Sequence, residues 1–272
     1  MAINPNGARN AMHTAICMIT GGGKGIALNN LDVIPANHPV LIFDPHAEHK
    51  KIAGRDVYQY KTRMNFAKTF AKAWATGRPF ALAYTPVIRG KDEKQSKQLL
   101  QNAAEWFAKL VWMASDGNRI IYAVFEEYGS YCDSNADDKT TIGKIWTEGR
   151  KFGIRGIAIF QRSATISKTI WGMSPIKIIG AQGYENDLQR CIEATGCTRA
   201  DMIDLAYRNQ ALQMHYDKID ELVRTKVHYL LSESVGNFEK VAAYVKPAAA
   251  LRKKWTTEQR KIDKSGGYRL VA

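Results

Sequence analysis

The chain has 272 residues, 45% hydrophobic and 24% charged, ordinary globular values that leave room for one large α/β domain or two small ones of roughly 100–200 residues. Thirty-nine Lys and Arg against 26 Asp and Glu give a formal charge of +13, a surplus that suits a polyanionic partner because each neutralised phosphate releases condensed counterions. No apolar run reaches the roughly 18 residues needed to cross a bilayer, Arg9 and the broken apolar stretch after it do not make a secretory leader, and Cys17, Cys132, Cys191 and Cys197, without C-x-x-C spacing, suit a reduced compartment.

In chain order, Thr14–Ile19 reads as a strand that breaks into Thr20-Gly21-Gly22-Gly23-Lys24-Gly25, with Ile26–Leu31 as the helix that follows. Further strand-like runs bounded by turn residues are Pro39–Phe43, Pro79–Tyr84, Arg119–Phe125, Gly156–Phe160 and Pro175–Ile179. Between them, Asn65–Ala75 carries Phe66, Phe70 and Trp74 at helical spacing. Ser96–Ala114 gathers Leu99, Leu100, Ala103, Phe107, Leu110 and Val111 on one face. Lys139–Phe152 and Tyr184–Thr195 predict two more helices, the second stopped by Gly196. Strands that are continuous Ile, Val, Ala and Phe runs and alternate with helices predict a mostly parallel central sheet covered on both faces. Residues 1–232 are therefore expected to form one three-layer α/β domain. From Glu233 to Ala272 there are nine Lys or Arg against four Asp or Glu, and this stretch is expected to be a basic C-terminal arm, helical around Ala248–Ile262.

Three segments carry chemistry. A phosphate-binding turn needs glycines so that backbone N–H groups converge on oxygens with no side chain in the way. Thr20, Gly21, Gly22, Gly23, Lys24 and Gly25 meet that need, with Lys24 as the point charge and the next helix turning its N-terminus to the anion. The pattern departs from G-x-x-x-x-G-K-[ST] at two places, Met18 for the first glycine and Gly25 for the hydroxyl residue that normally sits on magnesium. Alone, the segment also reads as a flexible turn with a solvated lysine. In the second segment a strand ends in Glu126-Glu127. Two adjacent carboxylates repel each other unless a cation or separate roles keep both ionised. Joined to the upstream loop they suit a metal shell and a water-polarising base. The third is Gly149-Arg150 through Gln161-Arg162, a strand ending in an amide that can sense a phosphate.

In this order, the three segments resemble the FtsK–HerA superfamily of ring-forming P-loop ATPases. They are most similar to the genome-packaging ATPases of tailless, membrane-containing icosahedral viruses, with a more distant likeness to Zot-type phage morphogenesis ATPases. The matching stretches are Thr14–Leu31, Pro39–Glu48, Arg119–Tyr128 and Glu148–Ile170. The resemblance implies a three-layer RecA-like P-loop NTPase fold and ATP held by Lys24 and the glycines before it. It further implies Mg²⁺ held with the help of Glu126, Glu127 as catalytic base, Gln161 as sensor, and Arg150 donated into a neighbouring subunit's site, with Arg155 and Arg162 in reserve. The three segments are expected to converge at the carboxyl edge of one sheet.

The function so implied is an ATP-driven translocase that packages viral DNA into a preformed capsid. It would act as a homo-oligomeric ring, expected to be a hexamer, grip DNA without regard to sequence, contact capsid vertex proteins, and work in the virion or host cytoplasm without a membrane span. Two other readings stand beside it. One is a nucleotide-binding ring component or adaptor with a degenerate site, since Gly25 and Glu126 weaken the usual metal shell. The other is a soluble kinase, which the Gln161-Arg162 segment fits poorly. Asp44-Pro45-His46 follows the second strand, as an acidic residue often does in the family, or simply as a turn. His46 and His49 have no third ligand nearby in sequence, and Tyr58, Tyr60, Lys61 and Arg63 suit either a nucleic-acid contact or a strand edge.

Overall fold

Branched and aromatic runs between turn-formers become strands where they were expected. A computed structural model describes residues 2–132, 138–216, 221–245 and 251–271. The chain divides into two compact units. The first comprises Met1–Ala15 and Asp32–Pro175, the second Ile16–Leu31 and Ile176–Ala272. Strand β1 (Thr14–Cys17) carries the chain from the first into the second, and helix α1 (Lys24–Asn30) follows the glycine loop.

The first unit holds β2 (Val40–Phe43), the two-residue strands β3 (Lys51–Ile52) and β4 (Arg55–Asp56), and β5 (Tyr58–Tyr60). After these come α2 (Arg63–Ala75), β6 (Ala81–Tyr84), α3 (Glu93–Ala114), β7 (Ile121–Phe125), α4 (Thr141–Glu148), β8 (Ile154–Phe160) and α5 (Lys168–Gly172). Strands β8, β7, β2, β6 and β5 lie side by side, all parallel, in the register Ile157–Val124–Ile42–Ala83–Gln59. Every residue of β2, β6 and β7 is buried, as parallel strands covered on both faces must be.

Helix α2 is capped by the Thr62 hydroxyl, which accepts from the Asn65 amide, and it buries Phe66 and Phe70. Helix α3, capped by Asp92, buries Ala103, Phe107 and Val111. The Phe107 ring sits 5.8 Å from Phe43 and edge-on at 5.5 Å to Phe125, an arrangement that adds to simple burial. On α4, Trp146 lies against Gly156, where a Cβ would come 2.7 Å from the indole. The glycine is what admits the ring, whose Nε1 donates to Ser174 Oγ at 2.8 Å. The helix expected over Lys139–Phe152 ends at Glu148 and tightens into a 3₁₀ turn, Gly149–Phe152. Gly153 closes that turn at φ 82°, a left-handed conformation that glycine reaches without a Cβ penalty.

The second unit continues with β9 (Ile176–Ile179), α6 (Glu185–Thr195), α7 (Arg199–Ala211), the hairpin β10 (Gln213–Tyr216) and β11 (Glu221–Arg224), then β12 (Lys226–Ser234) and β13 (Asn237–Tyr244). A last helix, Thr257–Lys264, and β14 (Arg269–Val271) complete it. Gly196 stops α6 in the left-handed region, as expected. Helix α7 was not anticipated, although Thr198 and Asp201 form a capping box at its start. The boundary expected at 232/233 falls inside β12, which pairs antiparallel with both β9 and β13. The segment looked like a polar arm because β13 buries only Val241, Ala242 and Ala243, while Asn237-Phe238-Glu239-Lys240 before them is exposed or half-buried. Its edge is closed by β14, where Arg269 pairs with Glu239. Of the helix expected over Ala248–Ile262, residues 248–250 lie outside the described residues. Leu251 and Arg252 are helical, a turn follows, and a separate helix begins at Thr257 under a Thr256/Gln259 capping box.

Candidate nucleotide site

The glycine loop belongs to the second unit. The strand end is tied down first: Ile19 N–H donates to Ala181 O at 3.1 Å, Gly180 N–H to Cys17 O at 2.9 Å, and Gln182 Nε2 to Cys17 O at 3.1 Å. The turn then closes through Gly22 N–H to Ile19 O at 2.9 Å, with Gly21 at φ 67° and Gly23 at φ 91°. A Cβ at Gly22 would come 2.7 Å from Ile19 O and 2.8 Å from Met18 Cγ. At Gly23 it would meet the Tyr229 hydroxyl and Val227 Cγ1 at 3.0 Å each. Packing and backbone conformation thus demand glycine at both. Gly25 is different, with open space around it and no left-handed φ, so nothing steric explains a glycine where the family pattern has a hydroxyl.

Lys24 is half-buried and opens α1, with Gly23 as the N-cap. Tyr229 is a contributor that sequence reasoning missed. It is fully buried on β12, burial pushes its phenol pKa well up, and its hydroxyl donates to Gly23 O at 3.0 Å. No local motif marks a lone tyrosine two hundred residues downstream.

The carboxylate pair belongs to the first unit, at the carboxyl end of β7. Glu126 and Glu127 have separate fates, as two adjacent carboxylates require. Glu126 is 2% exposed, and its Oε2 lies 2.8 Å from Nε2 of His49, itself 5% exposed. Burial alone pushes the His49 pKa down, but the hydrogen bond and charge of Glu126, with those of Asp44 and Glu48, outweigh it and the net shift is upward. Asp44, fully buried at the end of β2, holds this loop by accepting from the amides of Glu48 at 3.1 Å and His49 at 3.0 Å. His49 is therefore the partner of a carboxylate. Among the described residues no group of three or more His, Cys, Asp or Glu is placed to hold a metal ion.

Glu127 is half-exposed and stands at φ 50°, ψ 42°. A non-glycine residue there costs on the order of 1 kcal/mol, and such outliers cluster at working sites. The turn re-aims the side chain so that Gln161, just past the end of β8, donates from Nε2 to Glu127 Oε1 at 3.0 Å and Oε2 at 3.2 Å. Tyr131 supports the turn by donating to Glu126 O at 3.1 Å, and Ser130 by donating to Glu127 O at 2.8 Å.

The three candidate arginines separate. Arg162 follows Gln161 and is exposed. Arg150 and Arg155 lie at the opposite, amino end of the same strands. Arg150 Nη1 donates to Gly7 O at 3.0 Å and to Arg9 O, while Arg155 Nη1 donates to the Tyr122 hydroxyl at 2.6 Å. Their charge is felt locally. Burial first, then Arg150 and Arg155, lowers the His13 pKa to about 4, so that its Nδ1 is the acceptor for the Gly156 amide at 2.9 Å.

The geometry thus unites Glu127 with Gln161, diverts Glu126 to His49, and keeps Arg150 and Arg155 apart from the carboxylate pair. Gly22 and Gly23 are packed against the protein, while the positions of Gly21 and Gly25 are open, so that backbone without side chains is left bare before α1, which fits the phosphates of ATP. A magnesium ion in such a site takes most of its ligands from phosphate and water, so one or two carboxylates suffice for it.

No family model matches the sequence, and no curated protein matches it. Solved structures do. The genome packaging NTPase B204 of Sulfolobus turreted icosahedral virus 2, in complex with sulfate, is 12% identical with a TM-score of 0.50, over 88% of this chain and 96% of that one. The same NTPase in complex with AMPPCP is 13% identical with a TM-score of 0.48, over 84% of this chain and 95% of that one. The plasmid coupling protein TrwB, with a non-hydrolysable GTP analogue, is 10% identical with a TM-score of 0.46, over 85% of each chain. The first of these agrees with the parallel sheet, flanking helices and glycine loop described above: the fold is a three-layer α/β fold of the P-loop NTPase type.

Proposed function

We propose that this chain is a Mg²⁺-dependent ATPase that moves DNA, packaging a viral genome into a preformed capsid in the virion or host cytoplasm. The observation that carries the reading is the grip of Gln161 on both carboxylate oxygens of Glu127, across the ends of two strands and at a strained backbone position. A carboxylate so held is an oriented base, and an amide beside it can register a change of charge and pass it on.

In this reading the glycines from Gly21 to Gly23 and the amides around them bind phosphate oxygens, and Lys24 supplies the positive charge. Glu127 accepts a proton from the attacking water, and Gln161 orients it. The Glu126–His49 pair anchors the end of β7, and the remaining capacity of Glu126 serves the metal through a water. A bound Mg²⁺ would supply charge neutralisation on the phosphates. Arg150 is the proposed arginine donated to a neighbouring subunit of a homo-oligomeric ring, expected to be a hexamer, and it must leave the carbonyls of Gly7 and Arg9 to do so. The net charge of +13 supports a sequence-independent grip on DNA phosphate; capsid vertex proteins are the other expected partner. No helix among the described residues is long and apolar enough to cross a membrane.

A second reading, a nucleotide-binding ring component or adaptor that hydrolyses weakly or not at all, is favoured by the missing hydroxyl at Gly25 and by the commitment of Glu126 to His49. Steady-state ATP hydrolysis with and without double-stranded DNA separates the two. Turnover stimulated by DNA and lost in Lys24→Ala and Glu127→Gln is the expected result. Equal turnover in all three proteins refutes the active motor, and ATP binding without turnover in wild type favours the adaptor.

A further inference from the structure

The amino end of the parallel sheet in the first unit carries a cleft of about 540 Å³. It is lined by Arg9 and Met12 from the N-terminal segment, His38 and Pro39 before β2, Arg119 and Ile120 before β7, and Arg150 and Arg155 around the start of β8. No Asp or Glu is among its lining residues. Arg119 is the best compensated of the four arginines, bonded to Asp116 at 3.0 Å and to Trp74 O at 2.7 Å. Arg150 and Arg155 are bonded only to neutral oxygens. Arg9 spends one nitrogen on the carbonyls of Gly117 and Asn118, and its Nη1 is buried with no hydrogen-bond partner. A buried guanidinium N–H without an acceptor is costly unless something supplies one.

The backbone is shaped around that nitrogen. A Cβ on Gly153 would come 2.4 Å from Arg9 Nη1 and 2.2 Å from Arg119 O, and Gly153 stands at φ 82°. One wall is apolar and aromatic: Met12, Pro39 and Ile120, with the His38 ring 5.8 Å from that of Tyr122. The cationic field is also visible in His38, whose pKa is lowered by burial and then by Arg155 and Arg55.

We propose that this cleft is a second anion site, which binds a phosphorylated small molecule of mononucleotide size. The phosphate would be held by the guanidinium groups of Arg9 and Arg155, joined by Arg150 while that residue is not donated to a neighbouring subunit, and the organic part would lie against the wall of Met12, Pro39 and His38. Guanidinium forks match phosphate oxygens in pairs. The limited volume favours a single nucleotide over a length of nucleic acid, which needs an extended basic track. The inference does not depend on the role of the glycine loop.

The test is calorimetric titration of the full chain with inorganic triphosphate, AMP and ATP, and with a single-stranded oligonucleotide. For ATP, two binding events per chain are expected. Lys24→Ala should remove one of them. Arg155→Gln should weaken the other by about tenfold or more, as loss of a charge-assisted hydrogen bond implies, and Arg155→Lys should recover part of it. The Nε–H resonances of Arg9, Arg150 and Arg155 should shift with inorganic triphosphate in wild type and in Lys24→Ala, a readout that needs no variant of the cleft. A single event abolished by Lys24→Ala, arginine resonances that ignore triphosphate, or a response to the oligonucleotide alone would each overturn the assignment.

Discussion

His49 pairs with Glu126 where both are almost fully buried, and its removal probes whether that pair anchors the carboxylate strand. His49→Ala leaves a carboxylate out of water with no cation, a change that typically costs about 3–5 kcal/mol. For a unit of this size about 2–4 °C accompanies each kcal/mol, so the lower bound predicts a fall in Tm of about 6–12 °C. The sign of the pH dependence follows from the upward shift of the His49 pKa. A histidine that binds its proton more tightly when folded contributes its full stability below its ordinary value of 6.5 and loses it as pH rises through the higher folded value. Wild-type stability should therefore decline above that ordinary value. The cost of His49→Ala should be largest under mildly acidic conditions and smaller in the alkaline range, where only a neutral hydrogen bond is left to lose. Urea unfolding followed by tryptophan fluorescence is the assay, since Trp74, Trp106, Trp112, Trp146 and Trp171 all lie in the first unit. A double-mutant cycle with Glu126→Gln isolates the pair. A cost below about 1 kcal/mol, far short of the buried-pair range, or one that does not change with pH, would refute the reasoning.

Two further expectations concern the proposed machinery. Gly23→Ala must hold φ 91° with a Cβ 3.0 Å from the Tyr229 hydroxyl, and should lose about 1–2 kcal/mol of stability together with ATP affinity. Gly25→Ala, with open space in the first turn of α1, should retain ATP affinity and gain up to about 1 kcal/mol; thermal melts and ATP titrations that fail to distinguish the two substitutions would contradict this account of the loop. Arg150→Ala should leave ATP binding at the glycine loop intact and abolish turnover in the assembled ring, read by ATPase assay beside a sizing measurement, and normal turnover would remove Arg150 from that role.

Much of the candidate site was legible because it is local. A strand, a glycine turn and a lysine are contiguous from Thr14 to Lys24, and a strand and two carboxylates are contiguous from Ile121 to Glu127. Periodicity located α2, α3 and α6 because each has one apolar face, and α7 escaped because its apolar residues are spread around the helix, with Met202 and Leu205 buried but Ile203 and Tyr207 exposed. The polar C-terminal stretch was harder, since β12 to β14 owe their strand character to pairing with one another and with β9. Composition cannot report hydrogen bonds made across such distances.

The amino-acid sequence by itself determined which residues are candidates for the proposed phosphate, metal and water contacts, because residue type and adjacency limit that chemistry. Only the tertiary structure decided what each is committed to. It turned Glu127 onto Gln161 through a left-handed backbone position, closed Glu126 against a histidine seventy-seven positions away, and brought Tyr229 beneath the glycine loop. It also gathered four arginines from separate segments around one cleft. Those commitments arise because packing brings distant side chains within hydrogen-bond reach, and no short-range pattern records which pairs will meet.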